Sequence, residues 1–261
     1  MRLPRAGSAV RVVLSCEHAR NRVPARYAPL FAGSGRLLAS HRGWDPGALE
    51  LARTLARRLR LPLAAAPASR LLADPNRSPS HPRLFSEATR ALPRRERERL
   101  LDAVYRPHRD RVASRVGELA VGAQVVHLGV HTFTPCLAGV VRDADVGVLY
   151  DPRRPLERAL ALELRRRLVA AGSGRVRLNY PYRGGADGLT AALRLVYPPV
   201  RYLGLELEVN QKHALGPPSR WARARRTIAE AVAATLVSCG RGVTSPSTGR
   251  AASGRARRRA G

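Results

Sequence analysis

The segment that most constrains the fold is residues 10–14, Val-Arg-Val-Val-Leu, dense in β-branched and apolar side chains. Such a run reads as a central strand. The residues that follow it are Ser15, Cys16, Glu17 and His18. A carboxylate and an imidazole at the end of a buried strand are poorly placed for packing. They are well placed for chemistry, because open α/β sheets bind ligands at the carboxyl ends of their strands. A second strand, expected over residues 124–130, ends in the same way at His131-Thr132-Phe133-Thr134-Pro135.

Strand and helix patterns alternate along the chain, which predicts a layered α/β sandwich. A helix is expected from Asp45, as N-cap, with Pro46 at its first position, to about residue 60. Residues 61–66 read as a short strand. Residues 69–80 form a polar loop, and residues 92–119 a charged helical region interrupted at Pro107, so that a kink or two helices is expected. Further strands are expected at 146–150, 176–180 and 202–209, and helices at 156–171, 189–197 and 220–237. Residues 1–239 read as one catalytic domain. Residues 240–261 turn to Ser, Gly, Thr, Ala and Arg, with six arginines and no acid, and read as a disordered tail.

Composition narrows the function. The chain has 261 residues and a formal net charge of +28. Lys212 is its only lysine, so 46 of its 47 basic residues are arginine. The arginines are spread over helices, and the twelve aromatic residues form no stacking pattern. Specific nucleic-acid binding is therefore not expected, although non-specific adhesion to polyanions at low salt is. No apolar run is long enough to span a membrane. The apolar run after Met1-Arg2-Leu3-Pro4-Arg5 is too short for a secretory signal, so a cytoplasmic location is expected. Cys16, Cys136 and Cys239 are odd in number and lack C-x-x-C spacing, which argues against a disulfide framework and a thiolate zinc site.

His18 and His131, each next to a buried strand, are the leading metal-ligand candidates. Hydrolytic zinc sites pair two imidazoles with one carboxylate and leave a position for water. Asp45 is the chosen third ligand, with His41 and Glu17 in reserve. Glu206 lies within the apolar run Tyr202-Leu203-Gly204-Leu205-Glu206-Leu207-Glu208, where alternation puts Gly204, Glu206 and Glu208 on one face. That face suits either an edge strand turned to water or a proton-transfer carboxylate beside a metal. Asn76 and Arg77 follow Asp74 in turn chemistry. With Arg142, Arg183 and the Gly184-Gly185 pair, they are candidates for holding an acidic substrate.

These segments, in order, resemble the N-formylglutamate amidohydrolase family. The carrying motifs are SCEHARNRVP, HRGWDPGALELA, SRLLADPNR, GVHTFTP, GVVRDADVGVL, NYPYRGG and LGLELEVNQ, over about residues 10–211. The resemblance implies a three-layer α/β/α sandwich with a mostly parallel or mixed central sheet, like those of zinc exopeptidases and phosphorylase/hydrolase-like folds. It implies a Zn²⁺ or other divalent cofactor at His18, Asp45 and His131, with Glu206 as the catalytic carboxylate. The expected activity is hydrolysis of N-formyl-L-glutamate, or a related small acidic N-acyl amino acid, in histidine breakdown. The rivals are a zinc amidase acting on a peptidoglycan-type amide and a retired scaffold that binds nucleic acid. Glu208 departs from the family pattern, which commonly has arginine there, and weakens the expectation of an acidic substrate.

Overall fold

The computed structural model describes residues 10–239. Its strands are β1 (Val10–Cys16), β2 (Leu63–Ala65), β3 (Gln124–Phe133), β4 (Cys136–Leu137), β5 (Val140–Val141), β6 (Val146–Leu149), β7 (Val176–Leu178) and β8 (Tyr202–Asn210). The α-helices are α1 (Gly35–Ala39), α2 (Ala48–Leu59), α3 (Glu87–Arg90), α4 (Arg94–Leu100), α5 (Arg106–Ala120), α6 (Pro155–Ala170), α7 (Leu189–Val196), α8 (Gln211–Ala214) and α9 (Pro218–Cys239). Six strands form one sheet in the order β2-β1-β3-β8-β6-β7. The β1, β2, β3 and β8 pairings are parallel, and β6 joins β8 antiparallel. The small β4–β5 hairpin stands apart.

Helices cover both faces, as the alternating pattern requires. Val10, Val12, Leu14 and Cys16 of β1 enter a core shared with α2, α6 and α9. Val13 enters a smaller core on the opposite face, with Val112 and Val116 of α5 and Leu189 and Leu193 of α7. A third cluster, around Phe31, Leu72 and Leu100, supports the loops outside the sheet.

The structure decides three local readings. Asp45 does not cap α2; the cap is Gly47, whose φ of 86° suits glycine and where a Cβ would overlap Ala214. The region around Pro107 is helical throughout: α4 passes through a π-helical stretch, Leu101–Tyr105, into α5. Pro107 is the second residue of α5, directly after the π-helical stretch, where it offers no N–H to the preceding turn. The strand carrying Glu206 is not an edge strand; β8 lies between β3 and β6. No helix among the described residues is long and apolar enough to cross a membrane. The tail expected from residue 240 lies outside the described residues.

Candidate metal centre

The parallel pairing of β1 with β3 brings both imidazoles to one end of the sheet. His18 lies in the turn two residues past the end of β1, whereas His131 lies inside β3, which runs on to Phe133 and pairs His131 with Glu208 of β8. The loop before α2 delivers Asp45, whose backbone N–H donates to the His18 carbonyl at 3.0 Å. The His18 and His131 ring centres are 4.9 Å apart. Asp45 Oδ2 lies 3.3 Å from His18 Nδ1 and 3.0 Å from His131 Nδ1. One ligand atom from each of the three residues falls within 4.8 Å of the other two, and all three residues are buried.

The far side of each ring is also held. Asp74 Oδ1 is 2.7 Å from His18 Nε2, and Glu17 Oε2 is 3.0 Å from His131 Nε2. His108 backs Glu17, with Nε2 3.4 Å from Oε1. Carboxylates on the outer nitrogens fix ring orientation and raise the basicity of the inner nitrogens, as in metal sites. Glu17 therefore stands behind His131 rather than among the converging donors. His41 is exposed and lies outside the group.

Buried negative charge is balanced here by basic neighbours. Burial opposes ionisation of Asp45, Asp74 and Glu17, yet their basic neighbours overcome it and hold all three carboxyls below the usual range. Burial also opposes charge on His131, but the hydrogen bond it donates to Asp45, the Glu17 carboxylate 3.0 Å from its other nitrogen and the charges of both hold its pKa well above the ordinary value. Arg70 supplies positive charge at the same spot. Its Nη1 is 3.1 Å from His18 Nδ1 and 3.7 Å from Asp45 Oδ1, and its Nη2 is 2.6 Å from Asp74 Oδ2. Two imidazole nitrogens and a carboxylate oxygen, backed by further carboxylates, form a donor set that fits zinc or a similar divalent ion.

The centre opens into a cavity of about 310 Å³ whose wall includes Glu206 and Glu208. Thr190 Oγ1 donates to Glu206 Oε1 at 2.9 Å, fixing that carboxylate from the first turn of α7. Asn76 also lines the cavity, and its Oδ1 accepts the Leu189 N–H at 2.8 Å. With the oxygen committed, the Nδ2 donor is what Asn76 can offer a ligand. Arg77 and Arg183 line the cavity as well. Arg77 lies 3.9 Å from Asp74, whereas Arg183 is exposed and forms no ion pair with a described residue.

Of three further substrate-contact candidates, two lie off the cavity wall and one is on it. Arg142 is not on the cavity wall; its Nη1 donates to Tyr182 Oη at 3.2 Å, and Tyr182 is the lining residue. Gly184 lines the cavity, but its lack of a side chain serves packing, since a Cβ would overlap the Tyr150 backbone. Gly185 faces Asp151 and is not part of the wall.

Sequence reading missed Arg70 and assigned Asp74 only a turn. Their i, i+4 spacing beside Asn76 and Arg77 was the available signal, but the loop shows no periodicity that would aim either at His18. It also missed Arg194. This buried guanidinium donates to Glu157 Oε1 at 3.0 Å, the Gly184 carbonyl at 2.6 Å and the Gly204 carbonyl at 2.7 Å. It thereby ties the loop at Tyr182 to β8.

Comparison with known proteins agrees with this architecture. A crystal structure of the gene product Atu2144 from Agrobacterium tumefaciens is 32% identical, covering 85% of this chain and 90% of that one, with a TM-score of 0.71. The crystal structure of N-formylglutamate amidohydrolase from Ralstonia eutropha JMP134 is 19% identical, covering 89% and 94%, with a TM-score of 0.63; at that identity it supports the fold alone. No curated protein matches the chain in sequence. The profile of the N-formylglutamate amidohydrolase family matches residues 10–214. The chain belongs to the N-formylglutamate amidohydrolase family.

Proposed function

We propose that the chain is a divalent-metal-dependent amidohydrolase that cleaves a small N-acyl amino acid, with N-formyl-L-glutamate as the nominal substrate. The products would be formate, or the corresponding acid, and the free amino acid. The observation that carries this proposal is the convergence of His18, Asp45 and His131, from three separate segments, next to a cavity with Glu206 on its wall. Those three residues would hold the ion. When bound, it supplies Lewis-acid polarisation of the acyl oxygen and makes water more acidic.

Glu206 is the proton carrier. Thr190 fixes one of its oxygens, so the carboxylate is oriented to accept a proton from the attacking water and return it to the departing nitrogen. Asn76 Nδ2 is the donor for charge developing on the acyl oxygen. Arg183, exposed at the cavity, and Arg77 beside it hold the substrate carboxylate. The partner is thus a small anionic molecule in the cytoplasm rather than a nucleic acid.

The test is formate or acid release from a panel of N-formyl and N-acetyl amino acids. Release from at least one, abolished by chelator and restored by Zn²⁺, is expected. A metal-loaded chain that cleaves none of them overturns the proposal.

A further inference from the structure

We infer that a second cavity, between α9 and the turn after α6, binds a small oxyanion of charge near −2, a phosphate ester or a dicarboxylate. The site is independent of the amidohydrolase proposal. The cavity holds about 430 Å³, and its wall includes Asp145, Gly174 and His213 and, from α9, Arg220, Arg223 and Thr227. It shares no lining residue with the cavity at His18 and His131. The i, i+3 and i+7 spacing puts Arg220, Arg223 and Thr227 on one face of α9. None of the three has a hydrogen bond or ion pair with a described residue.

Exposed arginines are common in this chain, and exposure alone assigns nothing. What sets this pair apart is the state of the acid beside it. Asp145 is the only acidic residue among the described residues that line the cavity, and both its oxygens are occupied. Its Oδ1 lies 2.7 Å from Lys212 Nζ and 2.8 Å from His213 Nε2, and its Oδ2 accepts the Arg175 N–H at 2.7 Å. In the groove between α2 and α9, by contrast, Arg58 meets Glu230 at 2.7 Å and Arg225 meets Glu50 at 3.0 Å. Arg220 and Arg223 are left as like-charged neighbours on one helix face, which repel until an anion sits with them. Guanidinium forks suit the paired oxygens of phosphate and carboxylate, and two of them match two negative charges. Thr227 adds a hydroxyl donor on the same face.

Isothermal titration calorimetry on the full chain makes the test, at about 0.15 M salt to screen diffuse attraction to surface arginines. Inorganic phosphate and succinate are the two probes. At least one should bind, and Arg220→Gln/Arg223→Gln should weaken that binding by about tenfold or more, the effect of losing charge-assisted hydrogen bonds. The control Arg53→Gln/Arg57→Gln removes the same charge from exposed positions of α2 and should leave the affinity unchanged. Binding of phosphate alone assigns the site to phosphate esters, and binding of succinate alone to dicarboxylates. No binding of either probe, or equal weakening in both double variants, would overturn the inference. So would an affinity that survives the loss of Arg220 and Arg223, which would put the anion elsewhere. Both side chains are exposed, so far-UV circular dichroism of the variant should be native. If it is not, Arg223→Gln alone is judged by the same criterion.

Discussion

The two faces of the central sheet use the same strands for opposite ends. On one face, Leu14 of β1, Val126, Leu128 and Val130 of β3, and Leu203, Leu205 and Leu207 of β8 form a continuous apolar core under α2, α6 and α9. On the other, the same three strands present Ser15, then His127, Gly129 and His131, then Gly204, Glu206 and Glu208. Period-two alternation separates stability from chemistry within single strands. The second face also changes along its length. At its base, His127 bridges Ser15 Oγ and Tyr202 Oη, each at 2.7 Å, beside the small core of Val13, Val125 and Leu193. Toward the carboxyl ends of β1, β3 and β8 it becomes ionic. Four residues along β3, from His127 past Gly129 to His131, therefore separate a neutral buried network from the candidate metal centre.

Substitutions at neighbouring positions test this division. The largest effect is expected for His131→Ala or His18→Ala, each of which should bring bound metal to background and abolish hydrolysis while far-UV circular dichroism stays native. Metal retained at wild-type affinity in both would end the assignment of the centre. Glu206→Gln should keep the metal and lose about 10²–10⁴-fold in kcat, and full activity would remove Glu206 from proton transfer. Its neighbour Leu205 points to the other core. Leu205→Ala should cost about 2–5 kcal/mol in denaturant unfolding and leave kcat per folded molecule unchanged. A matching drop in kcat would mean that the faces are not separable.

Asp74→Asn, which weakens the hold on His18 Nε2, should lower metal affinity by about 10–100-fold, measured by competition with a chromogenic chelator; unchanged affinity would confine Asp74 to turn formation. The smallest effect concerns His127. Burial pushes its imidazole down from 6.5 to about 4. As pH falls through that interval the unfolded chain takes up a proton that the folded chain refuses, so His127 draws stability away. The wild type, relative to His127→Gln, should therefore lose stability as pH drops from about 6.5 to 4. Parallel stability profiles of the two proteins would mean that His127 does not titrate as a buried neutral group.

Much of this face was legible in the residues themselves. The alternation in Tyr202–Asn210 placed Gly204, Glu206 and Glu208 together, and two buried-strand patterns ending near His18 and His131 suggested a shared crevice. The reading was open where two explanations predicted the same sequence. A carboxylate-bearing strand suits both a wet edge and a cavity wall, and only its place between β3 and β8's other neighbour, β6, decides between them. Asp45 suits both a helix cap and a ligand; Gly47 takes the cap and leaves the carboxylate to the imidazoles.

What the sequence by itself determined is the local grammar of the longer elements: the six strands of the main sheet, the long helices between them, and which strand residues share a face, but not the short α1, α3, α8, β4 and β5. These follow from interactions between residues a few positions apart, whose periodicity is written in the chain. Tertiary structure alone decided that β8 is interior, that Asp74 and Glu17 stand behind His18 and His131, that His41 is excluded, and that Glu208 is buried without a partner. Each of these depends on contacts between distant segments, set by strand order and loop path, and a charge's surroundings in space leave no period along the chain.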